Sequence, residues 1–164
     1  MGKKGLGELL SRFHHVGVLV KNMDEAVEYY RGLGIGPFES FNLVQIDRKV
    51  YGKPAPDVKV IAKGAQMGPI GFELVQPVSG KSVQKEWLER RGEGINHLAF
   101  LVDDIEEATS IMVEAGFKVI SCAKNKGGGG TAYFDTDKIG GVIIAQHELP
   151  PGVNRLWGSE TSGE

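Results

Sequence analysis

Apolar and polar positions alternate along Phe13–Ile35 in a strand-then-helix pattern, and the same pattern returns at Ile95–Phe117. The first copy reads FHHVGVLVKNMDEAVEYYRGLGI and the second INHLAFLVDDIEEATSIMVEAGF. Laid together without a gap, His15 falls on His97, Leu19 on Leu101 and Val20 on Val102. Glu25 then falls on Glu107, Ala26 on Ala108 and Gly34 on Gly116. Each copy opens with a short apolar run, HVGVLV or HLAFLV, which predicts a strand. Asn22 with Glu25, and Asp104 with Glu107, have the spacing of a helix cap whose partner carboxylate reaches back to the free amides. Met23, Ala26, Val27 and Tyr30, and then Ile105, Ala108, Met112 and Ala115, form apolar stripes at helical period. Gly34 and Gly116 stand where a helix ends in a left-handed residue. Self-similarity at one fixed offset marks a repeated supersecondary unit, and a single repetition means a duplicated domain rather than a solenoid.

Between and after these copies the pattern predicts further strands. A second strand is expected near Phe38–Ile46, and DRKVYGKPAPD, polar and with two prolines, reads as a loop. VKVIAKG and IGFELVQP read as the third and fourth strands, and SGKSVQKEWLERRGEG as a linker helix with Val83, Trp87 and Leu88 inward. The second half continues with FKVISCAK, a glycine tract, TAYFDTD and GGVIIAQHE as strands. The outcome is an α+β fold: two tandem βαβββ modules curling into a half-open mixed β-barrel, helices outside and a cleft inside. The expected organisation is a flexible arm over residues 1–12 and one domain over residues 13–149. That domain comprises a module at 13–78, the linker helix at 79–93 and a module at 94–149. A Pro/Gly/Ser-rich tail at 150–164 is expected to be mobile.

Composition narrows the partners more than the fold. With 41% hydrophobic and 24% charged residues among 164, this is an ordinary globular chain. A net charge of -2 gives no reason to expect nucleic acid or a membrane surface as partner. No apolar run approaches the ~18 residues that span a bilayer. The N-terminal MGKKGLGELLSRF lacks an apolar segment long enough for a signal peptide, so a cytoplasmic location is expected. The single cysteine, Cys122, excludes an internal disulfide framework and reads as a small buried hydrophobe at a strand end. The 24 glycines, about twice the usual share, suit a chain of short strands and turns.

Strand alternation then gathers the candidate chemistry. If Val16, Val18 and Val20 pack under the helix, His15, Gly17 and Leu19 face the concave side, and His97, Ala99 and Leu101 match them. Superposing IGFELVQP on GVIIAQHE puts Phe72 on Ile144 and Glu73 on Ala145. Glu73, Val75, Ala145 and His147 should then point inward and Gln146 toward the helices. His15, Glu73 and His97 in one cleft would be a ligand set for a divalent ion such as Zn, Mn, Co, Ni or Fe. Taken singly, each of these has a bland reading, as a satisfied histidine near a turn or a solvent-facing glutamate. Both histidines at equivalent places in a repeat, with an acid at the same level, favour the ligand reading. In AKNKGGGGTAY, Lys124, Lys126 and Tyr133 are candidate substrate contacts around a flap whose amides bind an anion, or the tract is a floppy hairpin loop. It lacks the Lys-Ser/Thr ending of a nucleotide P-loop. Trp87 reads as linker-helix core, and the QKEWLERR charges as a solvated face.

The stretches HHVGVLVKNMDEAVEYY, GFELVQP, INHLAFLVDDIEEA and AYFDTDKIGGVIIAQ resemble the vicinal-oxygen-chelate superfamily. This group includes glyoxalase I (lactoylglutathione lyase), methylmalonyl-CoA epimerase, extradiol dioxygenases and the fosfomycin- and bleomycin-resistance proteins. The resemblance covers Phe13 to Glu148, and the layout is most similar to the epimerase and glyoxalase branch. It implies that the family's metal histidines land on His15 and His97 and its fourth-strand acid on Glu73. The last ligand, usually a Glu that often also moves the substrate proton, lands on Ala145. His147, about 7 Å along the same strand face, is a substitute nitrogen ligand. Otherwise three protein ligands remain with water, or no metal binds.

With Ala145 unable to act, Glu73 becomes the candidate catalytic base. The implied activity is a divalent-metal-dependent isomerase or lyase that abstracts a proton beside a polarised carbonyl. Its substrate would be an acyl-CoA or a thiol adduct, with Lys124 and Lys126 near a CoA phosphate or a glutathione carboxylate. The alternatives are a metal-poor or metal-free binding or sequestering protein and a non-haem iron dioxygenase. The family also suggests a homodimer.

Overall fold

The two histidine-bearing strands lie side by side at the middle of one curled sheet. In this computed structural model, which describes residues 5–157, β1 (Phe13–Leu19) pairs antiparallel with β7 (Gly94–Leu101), placing Gly17 opposite His97 and His15 opposite Ala99. Each is flanked in parallel by the last strand of its own module: β6 (Ile70–Ser79) beside β1, and β10 (Ile143–Glu148) beside β7. β5 (Lys59–Met67) extends the first half, and β9 (Gly130–Phe134) and β8 (Val119–Asn125) the second. The strand order is β2-β5-β6-β1-β7-β10-β9-β8-β3-β4, a mixed sheet curled into a half-barrel.

Two of the helices cover the convex face. α2 (Met23–Gly32) starts where the Asn22 side chain accepts from the Glu25 amide, and α4 (Ile105–Glu114) where Asp104 accepts from the amides of Glu106 and Glu107. Gly34 and Gly116 follow at φ 88° and 98°, a region that only glycine enters freely. Under α2, Val18, Val20, Phe72 and Leu74 form one apolar layer; under α4, Ala132, Phe134, Val102 and Met112 form another. A third cluster, with Leu19, Val75, Ala99, Tyr133, Ile143 and Ala145, lies inside the curl and is closed by Trp87 of α3 (Val83–Arg91). α3 is capped by Ser82, and Val83 and Trp87 are buried as the linker-helix reading requires. Among the described residues, no helix is long and apolar enough to cross a membrane.

Four segments depart from the sequence reading. The expected strand at Phe38–Ile46 splits into β2 (Glu39–Ser40) on β5 and β3 (Gln45–Val50), which crosses to the second half and pairs with β8. The expected loop DRKVYGKPAPD is therefore partly strand. β3 turns back as β4 (Lys53–Pro54) through Tyr51 and Gly52, both at positive φ, as a two-residue type I′ hairpin needs. The open edge of β8 is thereby covered, which removes an aggregation-prone row of unpaired backbone groups.

The arm expected to be flexible over 1–12 contains α1 (Leu6–Leu9), whose Leu9 is buried with the layer under α4. Residues 1–4 lie outside the described residues. The tail expected to be mobile is seated as far as Trp157, with Leu156 and Trp157 both buried. Bulk apolar side chains there override the loop-like composition. Residues 158–164 lie outside the described residues.

Candidate metal centre

Strand register brings the candidate ligands together. Gly17 stands between Glu73 on one side and His97 on the other, in a single row across β6, β1 and β7. Strands two apart are about 10 Å from each other, so the Glu73 and His97 side chains reach toward one another over Gly17. A Cβ built on Gly17 would fall inside the His97 imidazole, so the glycine makes room for that ring. His15 enters from the next inward position of β1.

His15 Nε2 lies 2.7 Å from Glu73 Oε2, and His97 Nε2 lies 3.3 Å from the same oxygen. The two Nε2 atoms are 3.3 Å apart. All three residues are buried, at 0%, 3% and 1% exposure for His15, Glu73 and His97.

The other ring nitrogens have partners of their own. His97 Nδ1 is 3.1 Å from Asn96 Oδ1, an oxygen that only accepts, so the Nδ1–H donates to it and Nε2 keeps its lone pair. His15 Nδ1 meets His14 Nδ1 at 2.8 Å. Burial, then the His15 charge, lowers the His14 pKa to about 4 despite Glu73, so His14 is a neutral ring that shares one proton with His15 through the two Nδ1 atoms. In each half the residue before the histidine therefore orients it. Burial alone would raise the Glu73 carboxyl, but His15 and then His97 outweigh that and hold it well below the usual carboxylate range. Burial lowers the His97 pKa, keeping the ring neutral.

His15 Nε2, His97 Nε2 and Glu73 Oε2 thus converge on one point, and Glu73 Oε2 makes neither of its contacts in hydrogen-bond geometry. A single proton can bridge only one pair of these atoms; a divalent ion can bind all three. Ligands about 2.0–2.2 Å from a zinc-like ion sit roughly 3.0–3.4 Å apart at tetrahedral or octahedral angles. Separations of 2.7, 3.3 and 3.3 Å are close to that span. The residues present fit a divalent ion, and among the described residues this is the one cluster with metal-ligand spacing.

Ala145 is fully buried in the inner apolar cluster and offers no fourth ligand. His147 faces inward as expected, its ring 5.5 Å from His15, but it is not part of the cluster with metal-ligand spacing. Its Nε2 is buried without a partner, and burial, then the His15 charge, pushes its pKa well down. Gln146 faces the other way. Tyr133 stands at the cluster, ring to ring with His97 at 5.2 Å. Lys124 and Lys126 do not reach it. Both are exposed at the β8–β9 end, where Lys124 lines a groove between α4 and β3.

The sequence reading missed Trp157. Its indole is 4% exposed and lies edge-on to His15 at 5.3 Å and to His14 at 5.2 Å. It rests on Gly64 and Gly71, where any Cβ would strike the indole. The Asn42 amide donates to the Leu156 carbonyl at 2.8 Å and its side chain to the Arg155 carbonyl at 3.0 Å, which ties this roof down. Inward glycines at positions 64, 71 and 17 were the available signal. Trp157→Ala is expected to raise labelling of His15 and His97 by diethyl pyrocarbonate about tenfold, since labelling follows the open population. Unchanged labelling, mapped by mass spectrometry, would show that the indole does not control access.

Three histidines also set a pH dependence. The folded pKa values of His14, His97 and His147 are lowered, so below the ordinary 6.5 the unfolded chain takes up protons first. Their contribution is intact above pH 6.5 and is lost as pH falls, for His14 down to about 4. The Tm of the chelator-stripped protein should fall steadily through that window. A flat Tm between those limits would contradict the neutral assignment.

Comparison with known proteins agrees with this geometry. The family profile described as Glyoxalase/Bleomycin resistance protein/Dioxygenase superfamily matches residues 14–134. The uncharacterized protein YqjC of Bacillus subtilis (strain 168) is 22% identical over 138 residues, covering 82% of this chain and 90% of that protein. The mitochondrial methylmalonyl-CoA epimerase of Dictyostelium discoideum is 25% identical over 152 residues, covering 90% and 82%. The crystal structure of methylmalonyl-CoA epimerase from Mycobacterium tuberculosis superposes with a TM-score of 0.60 at 20% identity, over 92% of this chain and 94% of that one. A profile match across most of the length, on a duplicated half-barrel with paired strand histidines, places this chain in the glyoxalase/bleomycin resistance protein/dioxygenase superfamily.

Proposed function

We propose that the chain is a divalent-metal-dependent isomerase or lyase that moves a proton on the carbon beside a carbonyl, with a small acyl thioester as its substrate class. The observation that carries this is the convergence of His15 Nε2, His97 Nε2 and Glu73 Oε2 on one buried point. A bound divalent ion would supply Lewis-acid polarisation of the carbonyl, which makes the neighbouring C–H acidic. His15 and His97 would hold it through their Nε2 atoms, and Glu73 would balance its charge. With no side-chain oxygen at Ala145, one position stays open to substrate, as catalytic sites require.

Two acceptors stand near for the proton. Glu73 would lose basicity by ligating the ion, and His147, whose inward Nε2 is unpartnered, is the second acceptor although burial lowers its basicity as well. The apolar floor of Leu19, Val75 and Ile143 keeps water from the reacting carbon. The thioester class rests on the methylmalonyl-CoA epimerases among the relatives.

The test is exchange. Metal-loaded protein in D2O with methylmalonyl-CoA as probe should incorporate deuterium at the acidic carbon, and chelation should stop it. Full metal occupancy with no exchange on this or other acidic thioesters would refute the reading. A second reading has its own observation: two histidines and one carboxylate with open positions is also the ligand set of non-haem iron oxygenases. Oxygen consumption by the Fe(II)-loaded protein with a catechol would favour it instead.

A further inference from the structure

The second half lines the cleft with polar side chains that have nothing to bind. Ser121 pairs with Tyr133, Tyr133 with Ala145 and Ala145 with Ala99, which lies opposite His15. Ser121 therefore stands in the His15 row. Thr131 pairs with His147 in the next inward row. Ser121 and Thr131 are each 2% exposed, and Ser121 Oγ, Thr131 Oγ1 and His147 Nε2 have no hydrogen-bond partner among the described residues. Leaving such groups buried and unpaired is costly, so they point to something that completes them.

The crossing strand β3 adds a cation to this wall. Val50 of β3 lies opposite Ser121, and alternation turns Arg48 to the same face. Arg48 is half-buried, and its Nη2 donates at 2.6 Å to the neutral Gln45 Oε1. Among the described residues no carboxylate lies within ion-pair reach of it. Tyr133, the residue beside His97, pairs with Ser121 in the same wall. A groove of about 960 Å³ between α4 and the β3–β4 hairpin leads to Arg48, Asn125 and Thr131 from outside. One guanidinium fork on the same sheet face as two neutral hydroxyls matches a planar carboxylate better than a phosphate dianion, which calls for more positive charge.

We infer that Arg48, Ser121 and Thr131 form a carboxylate-binding wall, so that the substrate carries an anionic carboxylate a short reach from the carbonyl held at His15, Glu73 and His97. This rests on the metal-dependent reading above, and it narrows the substrate class to carboxylated acyl compounds rather than neutral thiol adducts.

Malonate and inorganic phosphate serve as probes, titrated into zinc-loaded and chelator-stripped protein by calorimetry and by NMR at Tyr133 and Ser121. Malonate is expected to bind both forms within about threefold, because the wall does not contain the ion. Arg48→Gln should weaken it about tenfold or more, as loss of a charge-assisted hydrogen bond implies. Arg48→Lys should recover only part of that, and Ser121→Ala with Thr131→Ala should weaken it several-fold, all with zinc stoichiometry unchanged. Malonate binding that survives Arg48→Gln, that needs the ion, or that phosphate equals would overturn the inference. Malonate binding in a protein that takes up no zinc would leave the wall standing and remove the metal reading alone.

Discussion

Glu73→Gln is expected to abolish the rise in Tm that a divalent ion gives the native protein. For the unchanged chain, an ion at a hundred times its Kd should add about 2.7 kcal/mol. At roughly 2–4 °C per kcal/mol for a chain of this size, that is a rise of roughly 5–11 °C. The glutamine keeps the shape of Glu73 but replaces an anionic donor oxygen with a neutral amide. Orienting groups behind a ligand typically cost 10–100-fold in affinity when lost, and loss of the ligand itself should exceed about 100-fold. Without metal the two proteins should melt within a few degrees of each other, because the amide can donate to the lone pair of His15 or His97. Thermal scans with and without Zn²⁺ check both halves. A full metal-induced rise in Glu73→Gln would remove Glu73 from the ligand set.

Gly17→Ala is expected to damage the same centre without touching a ligand. Gly17 is not among the glycines with positive φ, so its backbone would accept alanine. The obstacle is space alone, since the new methyl would occupy the His97 ring. Either the imidazole swings away or β1 and β7 part, and overpacking of this kind costs about 1–3 kcal/mol. Metal binding should be lost along with a Tm fall of roughly 2–12 °C. Gly32→Ala in α2, with open space around its Cβ, is the matched control. It should hold or gain about 0.4–1 kcal/mol, as the replacement of a helical glycine usually does. Full zinc affinity in Gly17→Ala would mean that His97 sits elsewhere.

The duplicated halves, the helix caps and the inward turn of His15, Glu73 and His97 were legible because each follows from a short-range period. Alternation gives the face, 3.6-residue spacing gives the helix, and the repeat gives the equivalence of the two histidines. What escaped was long-range. QIDRKV has no apolar alternation to announce a strand, and its partner β8 lies in the other half. Trp157 sits in a Pro- and Gly-rich tail whose composition suggests mobility, yet one indole against Gly64 and Gly71 fixes it. Lys124 and Lys126 were drawn to the site by the glycine tract beside them, but hairpin geometry carries both away from it. Asn96 and His14 are adjacent in sequence to the histidines they orient, and only coordinates show those hydrogen bonds.

X-ray absorption at the zinc edge of the loaded, full-length protein tests the converging trio most directly. The expected spectrum has two imidazole nitrogens and a carboxylate oxygen about 2.0–2.2 Å from one ion per chain, with an imidazole lost in both His15→Ala and His97→Ala. A shell of water oxygens only, or one unchanged by either substitution, would contradict it.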